Sequence, residues 1–321
     1  MTAHEPLSVL VLAGGISHER DVSLRSGRRV ADALRAAGVP VSLRDPDATL
    51  LDFLRASPPA VVWPVLHGAS GEDGALLGLL ELAGVPYVGS SAKAARLAWD
   101  KPTAKAIAES AGIRTPRSVT LPKDTFRELG AAAVLRLVAE AVPAPYAVKP
   151  ARGGSAQGVT IVDHADALPR AMVDAYTYGD VALIEELVSG TEVAIGVLDT
   201  GDGPQALPAT EIVPTSGVYG YEARYNAGLT RFYTPARISP DAAAAASAAA
   251  VGIHRALGIG QMSRVDIIID AAGEPWFIEV NVIPGLTETS LLPQGLAAAG
   301  VEVGDLYRRL AEAARGASPR H

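Results

Sequence analysis

The pattern of apolar and polar positions changes period along the chain and marks alternating strands and helices. Residues 7–12 are a mostly apolar run ending in Ala13-Gly14-Gly15, as a buried parallel strand does before a sharp turn. Over residues 22–37 the positions Val22, Leu24, Val30 and Leu34 predict an amphipathic helix stopped by Gly38, with a second strand over 39–43. Strand, helix and strand recur through 60–65 and Tyr87-Val88, so residues 1–90 read as a small open parallel α/β domain. Residues 92–111 read as helix and 118–121 as strand. A strand over 146–150 then runs into a glycine-rich loop, 151–158, and 159–162 leaves it. This is a natural antiparallel hairpin, with glycine free to take φ > 0 at its tip. Residues 182–188 end a strand before the linker Ser189-Gly190, which closes a second unit, 91–187. The last unit, 188–321, holds strands over 192–198, a polar aromatic loop over 216–233, and an alanine run over 242–250. That run is in phase with Val251, Ile253 and Leu257, so it predicts a helix and not a disordered tract.

Composition narrows the function classes. A chain of 321 residues that is 49% hydrophobic and 20% charged fits a globular enzyme of two or three domains. Its net charge of -7 disfavours a nucleic-acid surface, which needs clustered Lys and Arg. The absence of cysteine removes disulfides, thiol nucleophiles and zinc-thiolate sites. No basic segment followed by a long apolar run opens the chain, so the expectation is a cytoplasmic protein without a membrane partner.

The candidate chemistry lies in three places. Segments 263–270 and 277–282 read as β-branched strands with polar residues at period-two positions, so Asp266, Glu279 and Asn281 can point the same way from neighbouring strands. Oxygen-only ligands beside Arg264 suit Mg²⁺ bridging nucleotide phosphates; the alternative is a hairpin with a solvated acidic face. The loop Gly153-Gly154-Ser155-Ala156-Gln157-Gly158 offers backbone N–H groups to a phosphate. By itself it reads better as a plain hairpin turn, and it is no Walker loop, since no Gly-Lys-Ser/Thr follows. Lys149, one of only five lysines, stands just upstream at a strand end. His67-Gly68 through Gly74, and Gly14-Gly15 through Asp21, each follow a strand where open α/β sheets place ligands, although a capped turn explains the first equally well. The spacing G-x-G-x-x-G is missing, which disfavours NAD.

Taken in order, Gly14-Gly15 with Glu19-Arg20-Asp21-Val22-Ser23-Leu24, His67-Gly68 with Gly71-Glu72-Asp73-Gly74, Asp100-Lys101, Lys149-Pro150 with Gly158-Val159, Tyr221-Glu222-Ala223-Arg224-Tyr225, Arg264-Val265-Asp266, and Glu279-Val280-Asn281 with Pro284-Gly285-Leu286-Thr287 and Ser290-Leu291 resemble the D-alanine:D-alanine ligases of the ATP-grasp superfamily. The resemblance runs from Leu7 to about Leu310. It implies an α/β ATP-grasp fold: an N-terminal open parallel α/β substrate-binding domain (1–90) followed by two α+β subdomains, central (91–187) and C-terminal catalytic (188–321), that enclose ATP. It implies ligation of two D-alanines through an acylphosphate for peptidoglycan precursors, with ATP, two Mg²⁺ ions for which Mn²⁺ substitutes, and a homodimer.

By family position, Asp266, Glu279 and Asn281 hold the metal, and Lys101 and Lys149 contact the phosphates under the loop that contains Gly154. Glu185 and the backbone of Val188 hold the adenine, and Glu192 the ribose. Glu19 accepts the first D-alanine's ammonium and is latched to Ser155 and Tyr225, while His67 lies near that substrate's carboxylate. Arg264 and the N–H of Gly285 stabilise the oxyanion, and Ser290 with Leu291 receives the second carboxylate. Three positions depart from the family pattern: Ala156 stands where Ser is usual, Arg224 where Lys is common, and Leu187 where an aromatic residue is frequent. The competing readings are a relative that couples D-alanine to another amino or hydroxy acid, and a nucleotide-binding relative without catalysis.

Overall fold

A computed structural model describes residues 6–215, 217, 219–220, 223–224, 226 and 228–316. Three sheets carry the chain. Strands β1 (Val9–Ala13), β2 (Val41–Arg44) and β3 (Val61–Val65) form a parallel sheet in the order β2-β1-β3. β1 and β3 are apolar and buried on both faces, as expected where helices cover both sides, whereas the edge strand β2 is partly exposed. Val9, Val11 and Trp63 pack with the helices Arg20–Ala36 and Val303–Gly316, while Leu10, Leu12 and Val62 face the opposite core. The ring of Tyr307 stands edge-on to Trp63 with centroids 4.9 Å apart. The last helix of the chain therefore packs on β3 and on helix Arg20–Ala36 of the first unit.

The second sheet is antiparallel, in the order β4 (Ser118–Pro122), β7 (Val181–Glu186), β5 (Tyr146–Pro150), β6 (Thr160–Val162). The third has six strands: β8 (Thr191–Leu198), β9 (Gln205–Ala206), β10 (Thr210–Pro214), β11 (Thr230–Tyr233), β12 (Met262–Ile269) and β13 (Pro275–Asn281). The alanine run is helix Pro240–Ala256, started by Ser239, whose hydroxyl accepts from the Ala242 N–H. Ala242, Ala246 and Ala250 lie one turn apart on its buried face, so methyl groups let the helix sit close against the sheet.

The helix expected over 92–111 is two helices, Ala92–Trp99 and Lys101–Ser110. Asp100 is extended between them; its carboxylate accepts from the Thr103 N–H and hydroxyl, and Pro102 restricts the backbone before it. The break turns Lys101 inward.

The linker Ser189-Gly190 joins the second and third sheets without room for a side chain. A Cβ on Gly190 would lie 2.0 Å from the carbonyl oxygen of Ile269. Gly190→Ala is expected to cost about 1–3 kcal/mol, because backbone must move; denaturant unfolding without nucleotide, showing an unchanged midpoint, would refute the crowding.

Candidate active site

The candidate catalytic face is built by strand register. Asp266 pairs with Glu279 across β12 and β13, Arg264 pairs with Asn281, and Glu192 of β8 pairs with Ile268. Alternation puts all five polar side chains on one face, since Val265, Ile267 and Val193 point into the core beneath. A bulge follows: the register shifts between Asp266 and Ile267, and β13 skips from Glu279 to Phe277. Phe277 thereby drops into the core while Ile278 stays beside Glu279 in the cavity wall.

Two cavities open on this face. One, of about 390 Å³, lies between the second and third sheets, with apolar walls from Ala147, Ile161, Leu187, Ile268 and Ile278 suited to a planar base. Val188, Glu192 and Gly154 also line it. The other, of about 620 Å³, carries Glu19, His67, Ser155, Gly285, Ser290 and Leu291. They meet where Lys101, Gly154, Tyr219, Arg224 and Glu279 line both. A nucleotide and small zwitterions seated in the two would bring phosphate and carboxylate together there.

At the junction Lys101 Nζ donates to the Gly153 carbonyl at 2.6 Å and lies 3.6 Å from Glu279 Oε2. Burial lowers the pKa of Lys101, with Lys149 adding to the shift and Glu279 opposing it. Burial alone would raise Glu279; Lys101, Arg224, Lys149 and Arg264 outweigh it and hold the carboxyl well below its ordinary range. Arg264 forks onto Asp266, Nε to Oδ1 at 2.7 Å and a terminal nitrogen to Oδ2 at 2.9 Å. Burial opposes its charge, but Asp266 keeps it protonated. Lys149 reaches the carboxylate of Glu185, whose other oxygen lies 3.2 Å from Lys105. The Glu185 carboxylate, expected against an adenine, is thus held by two ammonium groups. Arg224 stacks on Tyr219, 4.2 Å from the ring centroid, with a buried Nε that has no hydrogen-bond partner among the described residues.

The loop over the junction is tightly wound. Gly153 and Gly158 take positive φ as expected, but so do Ser155 (56°) and Ala156 (55°), a conformation that side chains rarely adopt. It turns the Ser155 hydroxyl onto Glu19 Oε1, so that half of the expected latch is formed. Tyr225 lies outside the described residues.

His67 is buried, with Nδ1 3.1 Å from the Ile283 carbonyl and Nε2 3.5 Å from Ser26 Oγ. A carbonyl only accepts, so Nδ1 carries the proton. Glu72, one of the two acids of the glycine-rich segment after β3, lies 3.8 Å from His67 in the same cavity wall; burial pushes its carboxyl up against the pull of His67. Ser290 precedes helix Leu291–Ala298 and its hydroxyl accepts from the Thr287 N–H at 3.1 Å. The start of that helix lines the cavity through Ser290 and Leu291, the end of a helix at which anions bind. Tyr219 lines both cavities although no motif marks it; the polar aromatic loop over 216–233 is its signal in the sequence.

Burial raises Glu192 to about 7, with Asp266 and Glu279 adding to it and Arg224 and Arg264 opposing. The folded chain then holds a proton between about pH 4.5 and 7 that the unfolded chain has lost, so Glu192 withdraws stability as pH rises through that window. In metal-free protein, Glu192→Gln should melt roughly 3 °C above the parent at pH 8 and no higher at pH 5; a constant gap across this range would count against the burial of this charge.

The sequence model described as D-ala D-ala ligase C-terminus matches residues 107–312, and that described as D-ala D-ala ligase N-terminus matches 48–90. A D-alanine–D-alanine ligase of Anaeromyxobacter sp. (strain Fw109-5) is 42% identical over 95% of this chain and 96% of its own length. One of Gloeobacter violaceus is 39% identical over 95% and 98%. Among solved structures, the VanG D-Ala:D-Ser ligase of Enterococcus faecalis superposes with a TM-score of 0.84 at 29% identity, covering 97% of this chain and 100% of that one. The Bacillus anthracis D-alanine–D-alanine ligase complexed with ATP gives 0.80 at 26%, covering 96% and 97%. With its ATP-grasp sheets and these matches over nearly its whole length, the chain belongs to the D-alanine–D-alanine ligase family.

Proposed function

We propose that this protein joins two D-alanine molecules, consuming ATP and releasing ADP and phosphate, to supply D-alanyl-D-alanine for peptidoglycan precursors. The observation that carries the reading is the meeting of the two cavities at Lys101, Arg224 and Glu279, a charged junction that a γ-phosphate and a substrate carboxylate would share. Relatives about 40% identical over nearly the whole chain bear the same activity in their names. We take residues 1–90, 91–187 and 188–321 as the three domains of this machine.

Asp266, Glu279 and Asn281 fit a divalent cation. Two carboxylates and one carboxamide form no cage by themselves, and no group of three or more His, Cys, Asp or Glu side chains among the described residues does. Mg²⁺ favours this incomplete set because phosphate oxygens complete its shell. Two Mg²⁺ ions, with Mn²⁺ as a substitute, would supply charge neutralisation of the phosphates.

The chain's own residues do the rest. Val188 and the apolar walls seat the base, Glu185 contributing through its backbone, and Glu192 takes the ribose hydroxyls. Lys101 and Lys149 draw the phosphates in, and Gly154 with its loop covers them. Glu19 takes the first D-alanine's ammonium, held by Ser155, and His67 stands near its carboxylate. That carboxylate attacks the γ-phosphorus, ADP leaves, and an acylphosphate results. The second D-alanine, its carboxylate on Ser290 and Leu291, loses a proton and attacks the carbonyl carbon with its amine. Arg264 and the Gly285 N–H hold the oxyanion until phosphate departs. We take the protein to act as a cytoplasmic homodimer; no helix among the described residues is long and apolar enough to cross a membrane.

A phosphate-release assay over D- and L-amino acids, with products identified by mass, tests the reading. D-alanine alone should drive release and yield the dipeptide. ATP hydrolysis indifferent to amino acids would overturn it, and a mixed product favoured over D-alanyl-D-alanine would move the second substrate towards D-serine, on which the superposed Enterococcus enzyme acts.

A further inference from the structure

Lys105 is a buried charge that the proposed mechanism leaves without a task. It sits on helix Lys101–Ser110, one turn beyond Lys101, is 3% exposed, and lines neither cavity. Its ammonium donates to Thr115 Oγ1 and to the Pro116 carbonyl, both at 2.7 Å, and stands 3.2 Å from Glu185 Oε2. That oxygen receives no formed hydrogen bond, so the contact is one of charge. Glu185, 2% exposed, is bound on its other oxygen by Lys149, which does line the nucleotide cavity.

We propose that Lys105 is a positioning residue for the nucleotide site: a fixed counter-ion that keeps Glu185 neutralised, so that Lys149 is free to turn to a phosphate. With Glu185 as its sole partner, Lys149 would form a closed neutral pair. It would present no net charge to an anionic ligand, and moving it would strand a buried carboxylate. With Lys105 behind, two ammonium groups share one carboxylate and the trio faces the cavity with a net positive charge. Lys105 is held in place, because Thr115 Oγ1 and the Pro116 carbonyl both accept from its ammonium. Burial disfavours its charge and Glu185 sustains it, so the dependence runs both ways.

The inference rests on the nucleotide site of the proposed ligase, and the test reads nucleotide binding directly by titration calorimetry with ADP and Mg²⁺, which needs no turnover. Lys105→Met should weaken ADP at least about tenfold and raise the ATP KM alike, with the D-alanine KM unchanged within about twofold. In a Glu185→Gln background the same Lys105→Met change should weaken ADP less than about threefold, because no carboxylate remains to be neutralised. An equal loss in both backgrounds would make Lys105 a plain anchor of residues 115–116 and overturn the proposal, as would unchanged binding in the single variant. If Lys105→Met does not fold, a double variant that folds and binds like Glu185→Gln supports the counter-ion, and one that also fails to fold refutes it. A parent that binds ADP but forms no dipeptide refutes the ligation reading and leaves this comparison intact.

Discussion

Glu279→Gln is expected to lower kcat by at least about a hundredfold with the fold retained, on the scale of losing one preorganised charge partner. The substitution keeps the size and one oxygen of the side chain, so β13 keeps its register against β12 and the bulge beyond it. What disappears is a carboxylate that Lys101, Arg224, Lys149 and Arg264 together keep ionised in spite of burial. Two losses follow from one change: a cation between Asp266 and Glu279 retains a single anionic partner, and Lys101, 3.6 Å away, loses its counter-charge at the junction of the cavities. ATP binding should weaken less than turnover, because Lys149 and the base-binding walls are untouched. Steady-state rates at saturating Mg²⁺ and D-alanine decide the matter: turnover within a few-fold of the parent removes Glu279 from the site.

Much of this site is legible in the sequence because strands impose a strict period. Asp266, Glu279 and Asn281 fall at alternate positions of two apolar segments, and pairing the segments brings Asp266 opposite Glu279. The bulge is not legible, since one extra residue leaves no mark on a short pattern in which Phe277, Ile278 and Val280 are all apolar. The helix break at Asp100 was present in the chain as an N-cap residue followed by Pro102, yet alanine-rich flanks carried the helical reading straight through it. Helix Val303–Gly316 shows why packing partners stay hidden. An amphipathic stripe says that a face is buried, but nothing in it says that the face lies on β3 and helix Arg20–Ala36 at the other end of the chain. The Glu185 trio hides for a related reason. Lys105, Lys149 and Glu185 come from three elements far apart in sequence, and no local spacing joins them.

Arg264→Met should cost about 10²–10³ in kcat, the range for removing one donor aimed at a developing oxyanion. The structure adds a second signature that separates this residue from a general loss of order. Arg264 is the bidentate partner of Asp266, which is only 4% exposed. Removing the guanidinium leaves a buried carboxylate without its cation, a change of about 3–5 kcal/mol where one member of such a pair is deleted. A divalent cation held by Asp266 replaces part of that charge. The variant should therefore melt well below the parent in chelator and recover part of the gap with Mg²⁺ and ADP, whereas its turnover stays low at saturating Mg²⁺, ATP and D-alanine. Stability follows Asp266, and rate follows the oxyanion. Arg264→Lys keeps a charge but not the planar fork, so it should fall between the two, nearer to Met in rate than in stability. Thermal melts with and without Mg²⁺ and ADP, set beside single-turnover dipeptide formation, measure both effects on the same samples. A Met variant that turns over within tenfold of the parent would take Arg264 out of the reaction, and a melting gap that Mg²⁺ and ADP do not narrow would take Asp266 out of the metal site.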